Sequence, residues 1–287
     1  MRLAKPSFVF LLIGFLVAVA IAPARAVILY GTATRNTTAP TGALANSGWQ
    51  YQGQWNGFLG TPIAPHYFIA ARHVGGTVGD KFLLAGNAYT TVAVTSSPNT
   101  DVNIWQVTET FPIFAPLYDT SDETGQPMVV FGRGTQRGGA VVDSRKVRGW
   151  QWGAFDQVQS WGTNVVSAVV DGGASLGSLL EFNFDSSGGV NEGCLSAGDS
   201  SGGVFIQVGG VWKLAGLNYG VDGPWSYYGG SDPGFSASIF DARGLYVGGP
   251  GAYQFISRKI PQQVPAGSYA TRISTNLTFI HSVIGTP

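Results

Sequence analysis

Cysteine occurs once in 287 residues, at Cys194. No disulfide can form within the chain, and a multi-cysteine zinc site is excluded. Charge is also scarce. Asp, Glu, Lys and Arg make up 11% of the chain, against roughly 25% in an ordinary globular domain. Sixteen basic residues balance sixteen acidic ones. A nucleic-acid binder usually shows a basic excess or patch, so no nucleic-acid partner is expected. Histidine occurs three times, at His66, His73 and His281, which leaves few places for imidazole chemistry. Beyond residue 26, no apolar run approaches the ~20 residues of a membrane span. There is no Gly-X-Y period and no repeat of roughly 20–50 residues, so collagen, propeller and solenoid architectures are set aside. Metal-ligand and phosphate-loop patterns are missing too, and neither a metal nor a cofactor is expected.

What the chain has in excess is glycine, 42 residues scattered among Val, Phe, Trp and Tyr. Residues 1–26, MRLAKPSFVFLLIGFLVAVAIAPARA, stand apart from this pattern. Arg2 and Lys5 precede an uncharged apolar stretch from Phe8 to Ile21, and Ala24-Arg25-Ala26 fits a small-x-small cleavage site. The segment reads as a secretory signal peptide, so the product is expected to be secreted or periplasmic, with no membrane partner after cleavage. Cleavage removes Arg2, Lys5 and Arg25 and no acid, leaving 13 basic against 16 acidic residues, a net of −3.

From residue 27 onward, short apolar-aromatic runs alternate with Gly, Pro, Asn and Asp. Trp49–Tyr51, Tyr67–Ala71, Lys81–Leu84, Val102–Val107, Met128–Phe131, Val165–Val170, Ser178–Phe184, Gly203–Val208 and Val211–Leu217 read as strands. Their close, fairly even spacing predicts an all-β barrel or sandwich. One helix is expected at the end, with Ser274 as N-cap and Leu277, Ile280, His281 and Ile284 at helical spacing. The proline-rich, acidic stretch at 112–127 divides the mature chain into domains at about 27–120 and 121–287. A glycine-dense stretch, Asp222–Pro250, reads as a surface insertion.

Three local patterns carry chemistry. Gly198-Asp199-Ser200-Ser201-Gly202-Gly203 crowds small residues around a serine. A nucleophilic serine needs such a turn, with backbone N–H groups aimed at the developing oxyanion. Ala70-Ala71-Arg72-His73-Val74 ends an apolar strand on a histidine. Asp101 stands at the mouth of the alternating run Val102–Val107. Alone, each has an ordinary reading as a turn serine, a structural histidine or a strand-initiating acid.

In the order His, Asp, Ser, these frames resemble the trypsin/chymotrypsin-like serine peptidase family, as a bacterial, secreted, disulfide-free member. The His73 frame is similar to the family's Thr-Ala-Ala-His-Cys, the Asp101 frame to Asp-Ile-Ala-Leu, and the serine frame to Gly-Asp-Ser-Gly-Gly-Pro. Leu214–Gly220 resembles the strand that pairs with substrate backbone, and residues 269–284 resemble the last strand and C-terminal helix. The resemblance implies two antiparallel six-stranded β-barrels around a cleft, with a C-terminal α-helix. It also implies a secreted endopeptidase working through His73, Asp101 and Ser200 by way of an acyl-enzyme. Gly198 and Ser200 N–H groups would form the oxyanion hole. Cys194, Asn218, Tyr219 and Gly220 would bind a protein or peptide substrate. Cys194 falls at the pocket base, where a thiol cannot pair with a basic side chain, so an apolar or small residue is expected at the cleavage site.

Some positions depart from the family. Arg72 and Val74 replace an Ala and a Cys, and Ser201 replaces a glycine. Without a gap the nucleophile is Ser200; shifted by one it is Ser201. Many family members pair the acid at Asp199 with a freed N-terminal amine. Cleavage after Ala26 would expose Val27, although a terminus leading simply into a strand is the default expectation. Two rival readings are an inactive relative that binds through the same cleft and a non-catalytic surface β protein. Oligomeric state is left open by the sequence.

Overall fold

A computed structural model describes residues 27–285. The signal-peptide reading concerns residues 1–26, which lie outside the described residues. After a two-residue strand, β1 (Ile28–Leu29), the chain runs irregularly to six strands. These are β2 (Gly53–Trp55), β3 (Phe58–Ala64), β4 (Tyr67–Ala71), β5 (Lys81–Leu84), β6 (Asn87–Ser96) and β7 (Val102–Val107). They close into a barrel in the order β2-β3-β4-β7-β6-β5. Alternation decides which side chains go inside: Phe82 and Leu84 of β5 are buried while Lys81 and Leu83 are exposed. Stacked and edge-on rings of Trp55, Phe68, Phe82, Trp105 and Phe111 fill the interior.

The second half begins with β8 (Pro127–Gly132), β9 (Thr135–Asp143), β10 (Lys146–Phe155), β11 (Ser160–Val165) and β12 (Ala168–Asp171). It continues through β13 (Ser178–Asn183), β14 (Gly193–Cys194), β15 (Gly203–Val208) and β16 (Val211–Val221). Then come β17 (Trp225–Ser226), β18 (Ala237–Ile239), β19 (Tyr246–Val247), β20 (Gln254–Phe255), β21 (Gly267–Arg272) and the helix α1 (Leu277–Ile284). The main sheet has seven strands in the order β11-β8-β15-β16-β21-β13-β12, one more than the six expected. One predicted run is also divided between two of these strands. The apolar run read as one strand at Val165–Val170 changes partner midway, with Val166 N–H donating to Gln126 O and Ser167 N–H to Glu181 O. Val165 therefore ends β11, paired with β8, and Ala168–Val170 fall in β12, paired with β13.

Two other expectations change on folding. Trp49–Tyr51 is a 3-10 turn rather than a strand. Its rings pack on Phe131 and Phe205, a demand that outranks their strand propensity. Ser274 does not cap the helix; its hydroxyl donates to Glu123 Oε1 at 2.6 Å, and Asn276 precedes α1. The glycine-dense insertion is a packed unit. Trp225, Ala237, Ile239, Ala242 and Leu245 bury against Val141, and β18 extends the β9–β10 ladder.

The first and last described elements hold the halves in place. Ile28 and Leu29 pair with Cys194 and Gly193, so β1 lies on the second half although it falls within 27–120. Arg137 stacks over Trp150 at 3.3 Å and donates to the carbonyls of Leu29 and Tyr30. In return Ile280 of α1 joins Ile63 and Ile69 of the barrel and Val129 and Phe131 of the seven-stranded sheet in one core. Glu123 of the connecting segment is fully buried and takes both arms of Arg272 at 2.9 and 2.6 Å. No helix among the described residues is long and apolar enough to cross a membrane.

The turn leading into β14 carries a buried acid. Glu192 is 3% exposed, accepts Asp185 N–H at 3.1 Å, and has the Asp185 carboxylate nearby. Burial pushes its pKa up to about 8 from 4.5, and Asp185 adds to the rise. A carboxyl whose folded pKa is raised binds its proton more tightly when folded. It therefore costs stability progressively as pH rises from its unfolded value to about 8. Thermal unfolding between pH 5 and pH 9 should show this fall, and Glu192→Gln should flatten it and raise Tm most at the alkaline end. An unchanged pH profile in the variant would contradict the assignment.

Candidate active site

Strand pairing brings His73 and Asp101 together. β4 and β7 are antiparallel with Ala71 opposite Val102, so the residues just beyond the ladder meet at one end of the barrel. Arg72 N–H donates to Asp101 O at 3.1 Å. A 3-10 turn, Arg72–Val74, then swings His73 over the acid and ends at Gly75, whose φ is +70. The Asp101 carboxylate engages His73 twice. Oδ1 accepts the main-chain N–H at 2.9 Å, and Oδ2 lies 2.5 Å from Nδ1. Asp101 is nearly buried, whereas 36% of the histidine side chain faces solvent. Charge-assisted bonds of this kind fix the ring's orientation and leave Nε2 available. Arg72, unexplained by sequence, has a role here: its guanidinium donates to Ser97 O at 3.1 Å and braces the turn before Asp101.

The serine turn is built around Asp199, which is fully buried. Oδ1 accepts Gly134 N–H at 2.8 Å and Val27 N–H at 3.4 Å. Oδ2 accepts the main-chain N–H of Ser196 at 2.8 Å and its hydroxyl at 2.9 Å. Burial still pushes the Asp199 pKa up to about 6, the backbone donors offsetting only part of the desolvation. Val27 is fully buried, its side chain against Gly162 and Gly193. Val27 leads into β1, and its main-chain N–H also reaches Asp199.

Past Asp199 the turn is pinned by main-chain bonds. Asp199 N–H donates to Ser196 O, Ser201 N–H to Asn218 O and Gly202 N–H to Asp199 O. Gly198 N–H and Ser200 N–H have no hydrogen-bond partner among the described residues. Gly198 has φ +94, and a Cβ there would meet the Phe155 ring at 2.1 Å. At Gly202 a Cβ would lie 1.9 Å from Phe131 O. Neither position admits a side chain without rearrangement. Ser200 is half-buried, while Ser201 is fully buried with its hydroxyl accepting Ala71 N–H at 2.8 Å.

Beside this turn β16 leads out to Tyr219, whose ring meets His73 edge-on at 5.7 Å. A cavity of about 780 Å³ opens there, lined by His73, Tyr219, Gly220, Val221, Tyr269, Val170, Asp171 and Leu179. Tyr219 and Gly220, expected at the substrate, line this cavity together with His73. Two other expected binding residues do not. Asn218 is fully buried, and its amide donates to Phe131 O at 2.7 Å and Asp199 O at 2.9 Å, holding the serine turn. Cys194 is also fully buried, among Ile28, Trp150, Phe184 and Phe240, and does not line the cavity. Its thiol is pushed up to about 12 by burial.

Gly134, Ser196, Val170, Leu179 and Tyr269 were not singled out by sequence. They reach the site through pairings far apart in the chain, and no local pattern marks them. Among the described residues no group of three or more His, Cys, Asp or Glu side chains could hold a metal ion.

No family model and no curated protein matches the sequence. Solved structures with a similar chain trace include the inactive form of the Rv3671c protease. It is 14% identical, with a TM-score of 0.46 over 87% of this chain and 98% of that one. A mutant of human heparin binding protein (CAP37) is 13% identical, with a TM-score of 0.49 over 83% and 93% of the two chains. Neither likeness, at these identities and scores, bears on activity.

Proposed function

We propose that the protein is an exported serine endopeptidase. The observation that carries this reading is the doubly bonded His73–Asp101 pair, with its ring open to a cavity beside Tyr219 and Gly220. In this mechanism Ser200 Oγ attacks the scissile carbonyl while His73 takes its proton. His73 then returns the proton to the departing amine, leaving an acyl-enzyme that water hydrolyses by the same exchange. Asp101 holds the tautomer and stabilises the imidazolium. The N–H groups of Gly198 and Ser200, unpartnered among the described residues, support an oxyanion role, and losing one such donor typically costs about 10²–10³ in rate. Ser201 is the weaker candidate for nucleophile, because its hydroxyl is buried and already accepts a main-chain bond. The substrate in this reading is a protein or peptide whose backbone lies along Tyr219 and Gly220.

A free amine at Val27 would belong to the same reading. A cut after Ala26 would turn the nitrogen now 3.4 Å from Asp199 into an ammonium facing a buried carboxylate. That ion pair would lower the cost of burying Asp199 and firm the turn that carries Ser200.

Hydrolysis of an unfolded protein by the processed enzyme tests the first point. Ser200→Ala should lower kcat by about 10⁶ while unfolding at the wild-type temperature. A variant that keeps its turnover rules Ser200 out. The second point is tested by leaving two extra residues ahead of Val27: turnover should fall, and undiminished activity contradicts the amine's role.

A further inference from the structure

Ser201 stands at a φ of +65, a region that glycine enters freely and a residue with a Cβ enters only at a cost. A glycine would fit the Gly-rich turn better by that measure. What the serine gains is a contact across the molecule. Its hydroxyl, with the residue fully buried, accepts the N–H of Ala71, which is 130 positions away in sequence. Ala71 ends β4, two residues before His73. Ser201 directly follows Ser200. One hydrogen bond of 2.8 Å therefore joins the neighbour of the proposed nucleophile to the strand end that carries the histidine. A second tie runs alongside it. Gly203 N–H donates to Gln52 Oε1 at 3.0 Å, and Gln52 Nε2 donates to Thr61 Oγ1 at 3.0 Å on β3. The main-chain N–H of Ser201 is held by Asn218 O at 2.8 Å, which fixes the backbone from which the hydroxyl reaches Ala71.

We infer that Ser201 is a positioning residue: its hydroxyl sets the spacing between the serine turn and the His73 turn across the boundary between the two halves. The inference rests on the peptidase reading, with Ser200 as nucleophile. The physical reason is that the two reacting side chains come from separate sheets. No covalent path shorter than 127 residues separates His73 from Ser200. Proton transfer needs heavy atoms held within hydrogen-bond reach, and a displacement of about 1 Å can cost on the order of 10² in rate. A buried Ala71 N–H left without an acceptor would draw the strand end toward water or toward another acceptor.

Two variants separate positioning from backbone strain. S201A keeps the strained φ and loses the acceptor; S201G loses both. Steady-state kinetics on one peptide amide should show kcat lowered about 10- to 100-fold in both, with KM within about two-fold of wild type. Hydrogen exchange at the Ala71 amide should speed up in both, while thermal unfolding leaves S201G at least as stable as S201A. Wild-type kcat in S201G, or an unchanged Ala71 amide, would overturn the inference even in an active enzyme. A wild type that turns over no substrate has a different meaning: it overturns the peptidase reading and this inference with it.

Discussion

A carboxylate removed from water must be compensated, and Asp199 is the place where this protein meets that demand. Burying an isolated charge costs several kcal/mol even after relaxation. Asp199 sits at 0% exposure with backbone N–H groups from Val27, Gly134 and Ser196 and the Ser196 hydroxyl around it. These donors come from the start of the described chain, the segment after β8 and the residues just before the serine. Satisfying one acid therefore closes the turn that presents Ser200 and fixes two distant segments relative to it. Burial still holds the Asp199 pKa up, to about 6, against these donors, with Val27 contributing an amide N–H.

Other contacts tie this turn and the two halves together. β1 and Arg137 anchor the start of the described chain on the second half, and α1 returns to the core shared with the first barrel. Glu123 and Arg272 bind the connecting segment to the last strand through a buried bidentate pair. Removing one partner of such a pair typically costs about 3–5 kcal/mol. Asn218 and Ser201 work at shorter range, one holding the serine turn to β8 and the other holding it to β4. With no disulfide available, hydrogen bonds and packed apolar surface do the joining that cross-links do in many exported proteins.

What the sequence revealed follows from the range of the forces involved. Tyr67–Ala71, Lys81–Leu84, Val102–Val107 and Gly203–Val208 were readable as strands because alternation and β-branched or aromatic content are local. His73 and Asp101 were readable as candidates because each closes or opens such a run, and ladder register alone then brings them together. Trp49–Tyr51 misled because its rings answer to Phe131 and Phe205, far along the chain. Ser274 misled because a buried Glu123, 151 residues away, claims its hydroxyl. Asn218 and Cys194 were expected at the substrate and lie in the core, since burial depends on the sheet rather than on motif position. Arg72 and Ser201 looked like departures, and both carry hydrogen bonds that no local pattern announces.

The central claim is that one serine, beside a histidine held by Asp101, is the nucleophile of the cleft. It is tested most directly by exposing the processed protein to a fluorophosphonate and locating the adduct by peptide mass spectrometry. Attachment at Ser200, lost in His73→Ala although the variant remains folded, is the expected result. An adduct at Ser201, or none on correctly processed protein, would contradict it.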